Sequence, residues 1–578
     1  MRNRSHSLAI FALLYAAAAA SAGTIYVREG ALGGNTGTSW ADAYADLHDA
    51  LDSAAPGDEI WVATGIYQPS TTSADVSYTM PAGVRLYGGF AGTETQLDQR
   101  DWIANRTTLS GDVDNDDTFN GFSWTRVGSN SGHIMNASST NAATVIDGFI
   151  FTRGAIGSVG TPANSHLMAG AGIYIVGASP TIRNCEFSWN QAAFSAGAGL
   201  YVRDGSPVIE SCTFEHNTGH LSNGVGVYIG GNSACTIRDC DFLYNSATSA
   251  TPDASGGGMY HQGSQPLFME RCRFIGNSVL PFYSISSAPC YGGGLSVFLA
   301  PATINNCEFI DNTAIYGGGM IAWGPTVVSN SLFTGNRARS WPNEQEGHGG
   351  GFMANSFASD TMRLVNCTVV NNRASKYAGV YGGWNATVSL ENTIVWDNIA
   401  DNPDVIGYWH EDVGGGLDLW YSCVSRIFGP PEQGEDLLEP NQLVGCTEAD
   451  PAFVNAAADD FRLTAASPCI DAADSSLVSV GTDLDGNTRR WDDPATPDSG
   501  TGPAPIVDMG AYEFNAPPPT CPGDADGDLM INFNDLNLVL AHWQQLVPAG
   551  TSGDVTGNGK VDFEDLNLVL SAWGSDCI

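Results

Sequence analysis

The chain has 578 residues, more than one compact core can hold, so it must divide into domains or grow by repetition. Its 69 glycines and only 15% charged residues favour turns and stacked buried strands over exposed helices. With 62 acidic against 23 basic residues, and Lys376 and Lys560 as the only lysines, it lacks the cationic clusters that nucleic acid demands; a net charge of -39 suits a solvated exported surface and cations such as Ca²⁺.

Residues 1–22 read as a signal peptide. Arg2 and Arg4 open it, an apolar run covers 8–20, and Ala20-Ser21-Ala22 is a small-residue cleavage pattern. The expected product is secreted, extracellular or at the cell surface, with no transmembrane segment in the mature chain, because no later stretch is long and apolar enough to span. Residues 44–54 are expected to form a helix, with Leu47, Ala50, Leu51 and Ala54 on one face. Next comes an acidic loop, 111–117, in which Asp112, Asp114, Asp116 and Asp117 offer either a cation site or a solvated turn.

From about residue 149 a repeat dominates. Its core is Cys-x-Phe-x-x-Asn, as in Cys185, Phe187 and Asn190, and again from Cys212, Cys240, Cys272 and Cys307. Variants start at Ser331, Cys367 and Thr393. A glycine run precedes most copies, as in Gly292-Gly293-Gly294-Leu295. The cysteine position recurs every 24 to 36 residues, a period that suits one winding of a parallel β-solenoid. Cys185 and Phe187 are two apart and share a strand face. Stacked windings would then align Phe187, Phe214, Phe242, Phe274, Phe309 and Phe333 in one interior column. Asn190, Asn217, Asn245, Asn277, Asn312, Asn336, Asn372 and Asn398 would line one corner, where asparagine tolerates left-handed backbone and amides bond along the axis. Parallel side chains fit disulfide geometry poorly, so the repeat cysteines read as buried thiols. The non-repeating segment from about 400 to 514 is expected to close the far end.

The glycine and Phe-x-x-Asn motifs resemble the repeats of chlamydial polymorphic membrane proteins, which are β-helical adhesins. The wider layout resembles right-handed β-helix proteins of the pectin-lyase-like superfamily, through Gly57-Asp58-Glu59-Ile60-Trp61-Val62-Ala63, Leu86-Tyr87-Gly88-Gly89-Phe90, Asp483-Leu484-Asp485-Gly486-Asn487 and Val507-Asp508-Met509-Gly510-Ala511-Tyr512-Glu513. The resemblance implies an all-β fold, a right-handed parallel β-helix over 23–514. It does not specify activity, because that superfamily holds lyases, hydrolases and adhesins.

A proline linker, 515–520, leads to a small all-α module over 521–578, a duplicated EF-hand-like loop and helix with a spacing of 30. Calcium takes six to eight oxygens, and such a loop supplies them at positions 1, 3, 5, 7, 9 and 12. These positions are Asp524, Asp526, Asp528, Met530, Asn532 and Asp535, then Asp554, Thr556, Asn558, Lys560, Asp562 and Asp565, with Met530 and Lys560 giving carbonyls. The duplication resembles type I dockerin modules, which bind cohesins. The resemblance implies recognition through Phe533 and Asn534 and through Phe563 and Glu564. Thr556 stands where a carboxylate or amide is usual. Cys521 and Cys577 flank the duplication, and a disulfide between them would clasp its ends.

Neither paired catalytic carboxylates nor a lyase-type base stands out as a motif. Lys376 reads as a surface residue and His348 as a rim residue, while Trp341, Trp384, Trp396 and Trp409 offer faces for sugar rings. Three readings follow. The first is a secreted β-helix that binds or helps process polysaccharide, or binds a cell-surface glycan, tethered by the Ca²⁺-dependent module to a cohesin-like partner. The second is a polysaccharide lyase or O-glycosyl hydrolase. The third is an adhesin.

Overall fold

A computed structural model describes residues 22–121, 124–157, 169–249, 254–281, 289–340, 346–401, 412–425, 443–515, 522–526, 530–547, 552–556 and 560–574. The predicted signal peptide up to residue 21, linker residues 516–520, Cys521, Cys577, Asp528, Asn558, Trp341 and Trp409 lie outside these residues. No helix among those described is long and apolar enough to cross a membrane.

The repeat builds a parallel β-helix. One winding contains four short strands, Ile173–Val176, Thr181–Arg183, Glu186–Ser188 and Gln191–Ala193. Each pairs in parallel with its counterpart one winding on: Ile173 with Leu200, Ile182 with Ile209, Phe187 with Phe214 and Ala192 with Gly219. The same registers run back to the start, where Ile25, Ile60, Leu86 and Ile146 precede Ile182. The interior is one continuous apolar column.

The predicted phenylalanine column is present. Rings of Phe187, Phe214, Phe242, Phe274, Phe309 and Phe333 stack with centroids 4.3 to 5.1 Å apart, all fully buried. This spacing is the strand separation of a sheet, so backbone pairing and ring stacking reinforce each other.

The asparagine column is also present, with one correction. Asn190 donates from its backbone N–H and from Nδ2 to Oδ1 of Asn217, at 3.0 and 3.1 Å, and Nδ2 also donates to the Phe151 carbonyl at 2.9 Å. Asn245 repeats the pattern onto Asn277 and the Phe214 carbonyl. The left-handed backbone, however, belongs to the residue before each ladder asparagine: Trp189, His216, Tyr244, Asp311, Asn371 and Asp397 all have φ between 52° and 59°. The turn is made one position earlier, which leaves the asparagine free to point inward and bond along the axis.

The repeat cysteines are free and buried, and they do more than fill space. Each thiol donates to the carbonyl two residues back, as from Cys240 to Arg238 at 3.1 Å. Ser331, Thr393 and Ser422 make the same bond at 2.8 to 3.0 Å. The column therefore selects a small hydrogen-bond donor, which explains why serine and threonine replace cysteine there. Burial pushes the Cys367 thiol up to about 12, so it stays protonated. The glycine runs meet two needs. Gly292 has φ 59°, and a Cβ on Gly294 would come within 2.7 Å of the Gly319 carbonyl oxygen.

The predicted N-terminal helix is α1, Leu47–Ser53. Asp46 caps it by accepting from the His48 amide, and Leu47, Ala50 and Leu51 enter the interior column. The segment expected to close the far end takes a different course. Strands Val413–Trp420 and Cys423–Val424 continue the windings. The later part folds back along the flank, where Asn306, Asn330 and Asn366 donate from Nδ2 to the carbonyls of Asp483, Thr482 and Asp508. Its Phe461, Ala511 and Tyr512 cover outward-facing Leu332 and Val370, two apolar residues that would otherwise meet water.

The C-terminal residues hold two helices, α2 (Phe533–Ala541) and α3 (Phe563–Ser571). Each starts with a reciprocal capping box, Asn532 with Asp535 and Asp562 with Asp565. Ile531, Val539, Val561 and Val569 form the core between them. Leu540 and Leu570 are each 50% exposed, because a two-helix core buries only a narrow stripe.

Candidate functional site

The helix caps place the C-terminal carboxylates. Because Asp535 is held as the third residue of α2, its Oδ1 accepts from the Ala525 amide at 2.7 Å and its Oδ2 from the Asn532 amide at 2.8 Å. Carboxylate oxygens of Asp524, Asp526 and Asp535 thereby come within 4.8 Å of one another. In the second copy, Thr556 Oγ1 lies 3.2 Å from Asp554 Oδ1 and 2.8 Å from Asp565 Oδ1, so position 3 stays in the ring of oxygens. Lys560 turns its ammonium to Asp562 at 3.0 Å. The Glu564 amide, then the Lys560 ammonium, hold the Asp562 carboxyl below its usual range. The donor set is all oxygen and anionic, the chemistry of a hard divalent cation.

The residues expected to recognise a partner lie together on the surface. Phe533 and Phe563 are 69% and 67% exposed, and Asn534 and Glu564 are exposed beside them. Phe533 meets Trp573 edge-on at 5.0 Å, and Phe563 meets Trp543 at 5.1 Å, a reciprocal arrangement that makes the two ends of the module near copies.

The β-helix also carries a groove that the repeat motifs do not mark. Tyr174, Tyr201 and Tyr228 project from equivalent positions of three windings and stack at 5.4 and 5.0 Å with their rings nearly parallel. His133 extends the column onto Tyr174 at 4.9 Å. With Ala169, Ser195, Ala196, Asn223, Arg203 and Asp204 the three tyrosines line a cleft of about 370 Å³. Partial burial raises the pKa of each of these three tyrosines, so they remain neutral hydroxyl donors and acceptors. The signal in the sequence was a tyrosine following the apolar residue after the glycine runs that end at Gly172, Gly199 and Gly226.

The acidic loop at 111–117 bends round a second, smaller cleft bounded by Trp124, Trp189 and His216. Asp112, Asp116 and Asp117 do converge, but Asp112 pairs with Arg153 at 3.0 Å and Asp117 accepts from Asn130 Nδ2 at 2.8 Å. Arg153 and Asn130 thus meet Asp112 and Asp117 from within the protein. Lys376 is ion-paired to Glu346 at 3.0 Å. His348 is no rim residue: it stacks between Tyr316 and Tyr377 at 6.1 and 5.6 Å, and burial lowers its pKa to about 4. Of the tryptophans proposed for sugar contact, Trp384 is exposed, while Trp396 packs under the flanking segment.

The fold and its flank define a right-handed parallel β-helix protein, and a family model described as a right handed beta helix region matches residues 171–345. Among solved structures, the chain is similar to the pectate lyase Pel9A, at 14% identity and TM-score 0.42, over 86% of this chain and 97% of that one. It is similar to a pectin methylesterase from carrot, at 12% identity and TM-score 0.31, over 58% of this chain and 89% of that one. It is also similar to a rhamnogalacturonan lyase, at 12% identity and TM-score 0.30, over 69% and 87%. No curated protein matches it by sequence.

Proposed function

We propose that this is a secreted β-helix protein that binds extracellular polysaccharide along its flank and is tethered, through a calcium-dependent dockerin-like module, to a cohesin-like partner. The observation that carries the polysaccharide reading is the tyrosine-floored groove. It crosses three windings along the axis, so it matches an extended polymer rather than a compact ligand. An aromatic wall offers apolar contact to sugar C–H groups, and Ser195, Asn223, Arg203 and Asp204 offer polar contacts at its sides.

Support for the tether comes from the C-terminal module. Its oxygen clusters suit Ca²⁺, with Asp524, Asp526, Asn532, Asp535, Asp554, Thr556, Asp562 and Asp565 as side-chain ligands, joined by Asp528 and Asn558 beyond the described residues. Ca²⁺ would neutralise carboxylates that otherwise repel. Exposed Phe533 and Phe563 flanked by Asn534 and Glu564 suit a protein partner, since aromatic anchors dominate such interfaces.

The test is calorimetric titration of the purified protein with neutral and acidic polysaccharides, alongside Tyr201→Ala. Binding to at least one glycan, weakened at least tenfold by the substitution, is the expected result. A variant that binds as well as the parent would remove the groove from the proposal.

A further inference from the structure

Beyond the C-terminal loops, we infer that the flanking segment contains a separate calcium site built on Asp471, Asp492 and Asp498. The three carboxylates present oxygens within 4.8 Å of one another. What distinguishes this cluster from an ordinary acidic surface is Asp471. Its side chain is fully buried, next to buried Ile470, Ala472 and Ala473, and neither carboxylate oxygen has a hydrogen-bond partner. The Asp493 amide faces the carboxylate without reaching hydrogen-bond geometry. A buried, unbonded carboxylate facing two more carboxylates is unfavourable unless a cation sits among them.

The backbone holds Asp471 in place. Its φ is 48°, its amide donates to Asp508 Oδ1 at 2.8 Å, and its carbonyl accepts from the Ser499 and Gly500 amides at 2.9 and 3.0 Å. The loop carrying Asp492 and Asp498 is therefore tied to Asp471 by its own backbone. The acidic loop at 111–117 differs, because there Arg153 pairs with Asp112 and the Asn130 amide donates to Asp117. Oxygen-only donors select a hard cation. Two exposed ligands on a loop suit the flexible, higher-coordinate shell of Ca²⁺ better than the rigid octahedron of Mg²⁺. Bound there, the ion would pin the loop over 490–500 to the flank.

Hydrogen exchange read by mass spectrometry on the full chain tests this, because it reports residues 468–500 separately from the C-terminal loops. Millimolar CaCl₂ is expected to slow exchange at least tenfold over 490–500, with MgCl₂ having a smaller effect. Asp471→Asn should abolish that protection and remove one bound Ca²⁺ per chain by native mass spectrometry, leaving the response of residues 524–565 unchanged. If Asp471→Asn fails to fold, Asp498→Asn, at an exposed position, should weaken the same response at least tenfold. No calcium-dependent protection over 490–500 in the parent, or an unchanged ion count in the variants, would overturn the site.

Discussion

At the scale of single residues, the axial columns carry the fold. Asn245 satisfies Asn217 through Oδ1 and the Phe214 carbonyl through Nδ2, so Asn245→Ala leaves several buried polar groups without partners. Each costs about 1–3 kcal/mol, and the expected loss is about 3 kcal/mol or more by denaturant unfolding. Phe242→Ala should cost about 3–5 kcal/mol, because the rings above and below hold the cavity open. Cys240→Ser should cost far less, since serine already makes the same hydrogen bond at Ser331. The asparagine column ends on a carboxylate: Asn398 donates from N and Nδ2 to Asp412 Oδ1 at 3.0 and 2.7 Å. Burial, only partly offset by hydrogen bonds from Ser425 and Asn398, raises Asp412 to about 6, with Asp397 adding to the rise. A folded pKa above the unfolded value, near 3.9 for aspartate, means the folded chain holds the proton more tightly. That stabilisation is complete below about pH 4 and is lost as pH rises to about 6, a change of about 3 kcal/mol. Asp412→Asn keeps the acceptor without the charge. It should raise stability at pH 7 and flatten the dependence between pH 4 and 6, measured by thermal unfolding.

At the scale of elements, the two ends of the chain behave differently. Helix α1 covers an apolar column that would otherwise offer an open strand edge. Leu51→Asp should therefore destabilise the first windings and promote association, measured by light scattering. Among the described residues, the core around α2 and α3 has four buried apolar side chains, too few to hold a fold of that size by themselves. If its loops take calcium as proposed, chelation with EGTA should melt the helices and leave the β-helix intact, seen as loss of helical circular dichroism over a constant β signal.

At the scale of the molecule, the flanking segment binds windings that lie far from it in sequence. The segment's own fold is tied by Arg489, fully buried, which donates to the Asp508 and Gly510 carbonyls at 2.8 and 2.6 Å and pairs with Glu513 at 3.4 Å. Removing one partner of a buried ion pair costs about 3–5 kcal/mol. Arg489→Met should loosen the flanking segment itself, and limited proteolysis should then cut between 453 and 514 while the windings resist.

The amino-acid sequence by itself determined the windings, because a column needs the same residue type once per turn and that recurrence is visible in Phe187, Phe214 and Phe242. It also determined α1, through the spacing of Leu47, Ala50 and Leu51. It did not assign the left-handed corner to Trp189 and its equivalents, because that position carries Trp, His, Tyr, Gly, Asp or Asn and shares only a backbone conformation. Nor did it reveal the tyrosine groove, the return of 453–514 along the flank, or the meeting of Asp471 with Asp492 and Asp498. Those depend on contacts between residues of unrelated sequence position, brought together only when the windings stack and expose a surface on which other segments can fold.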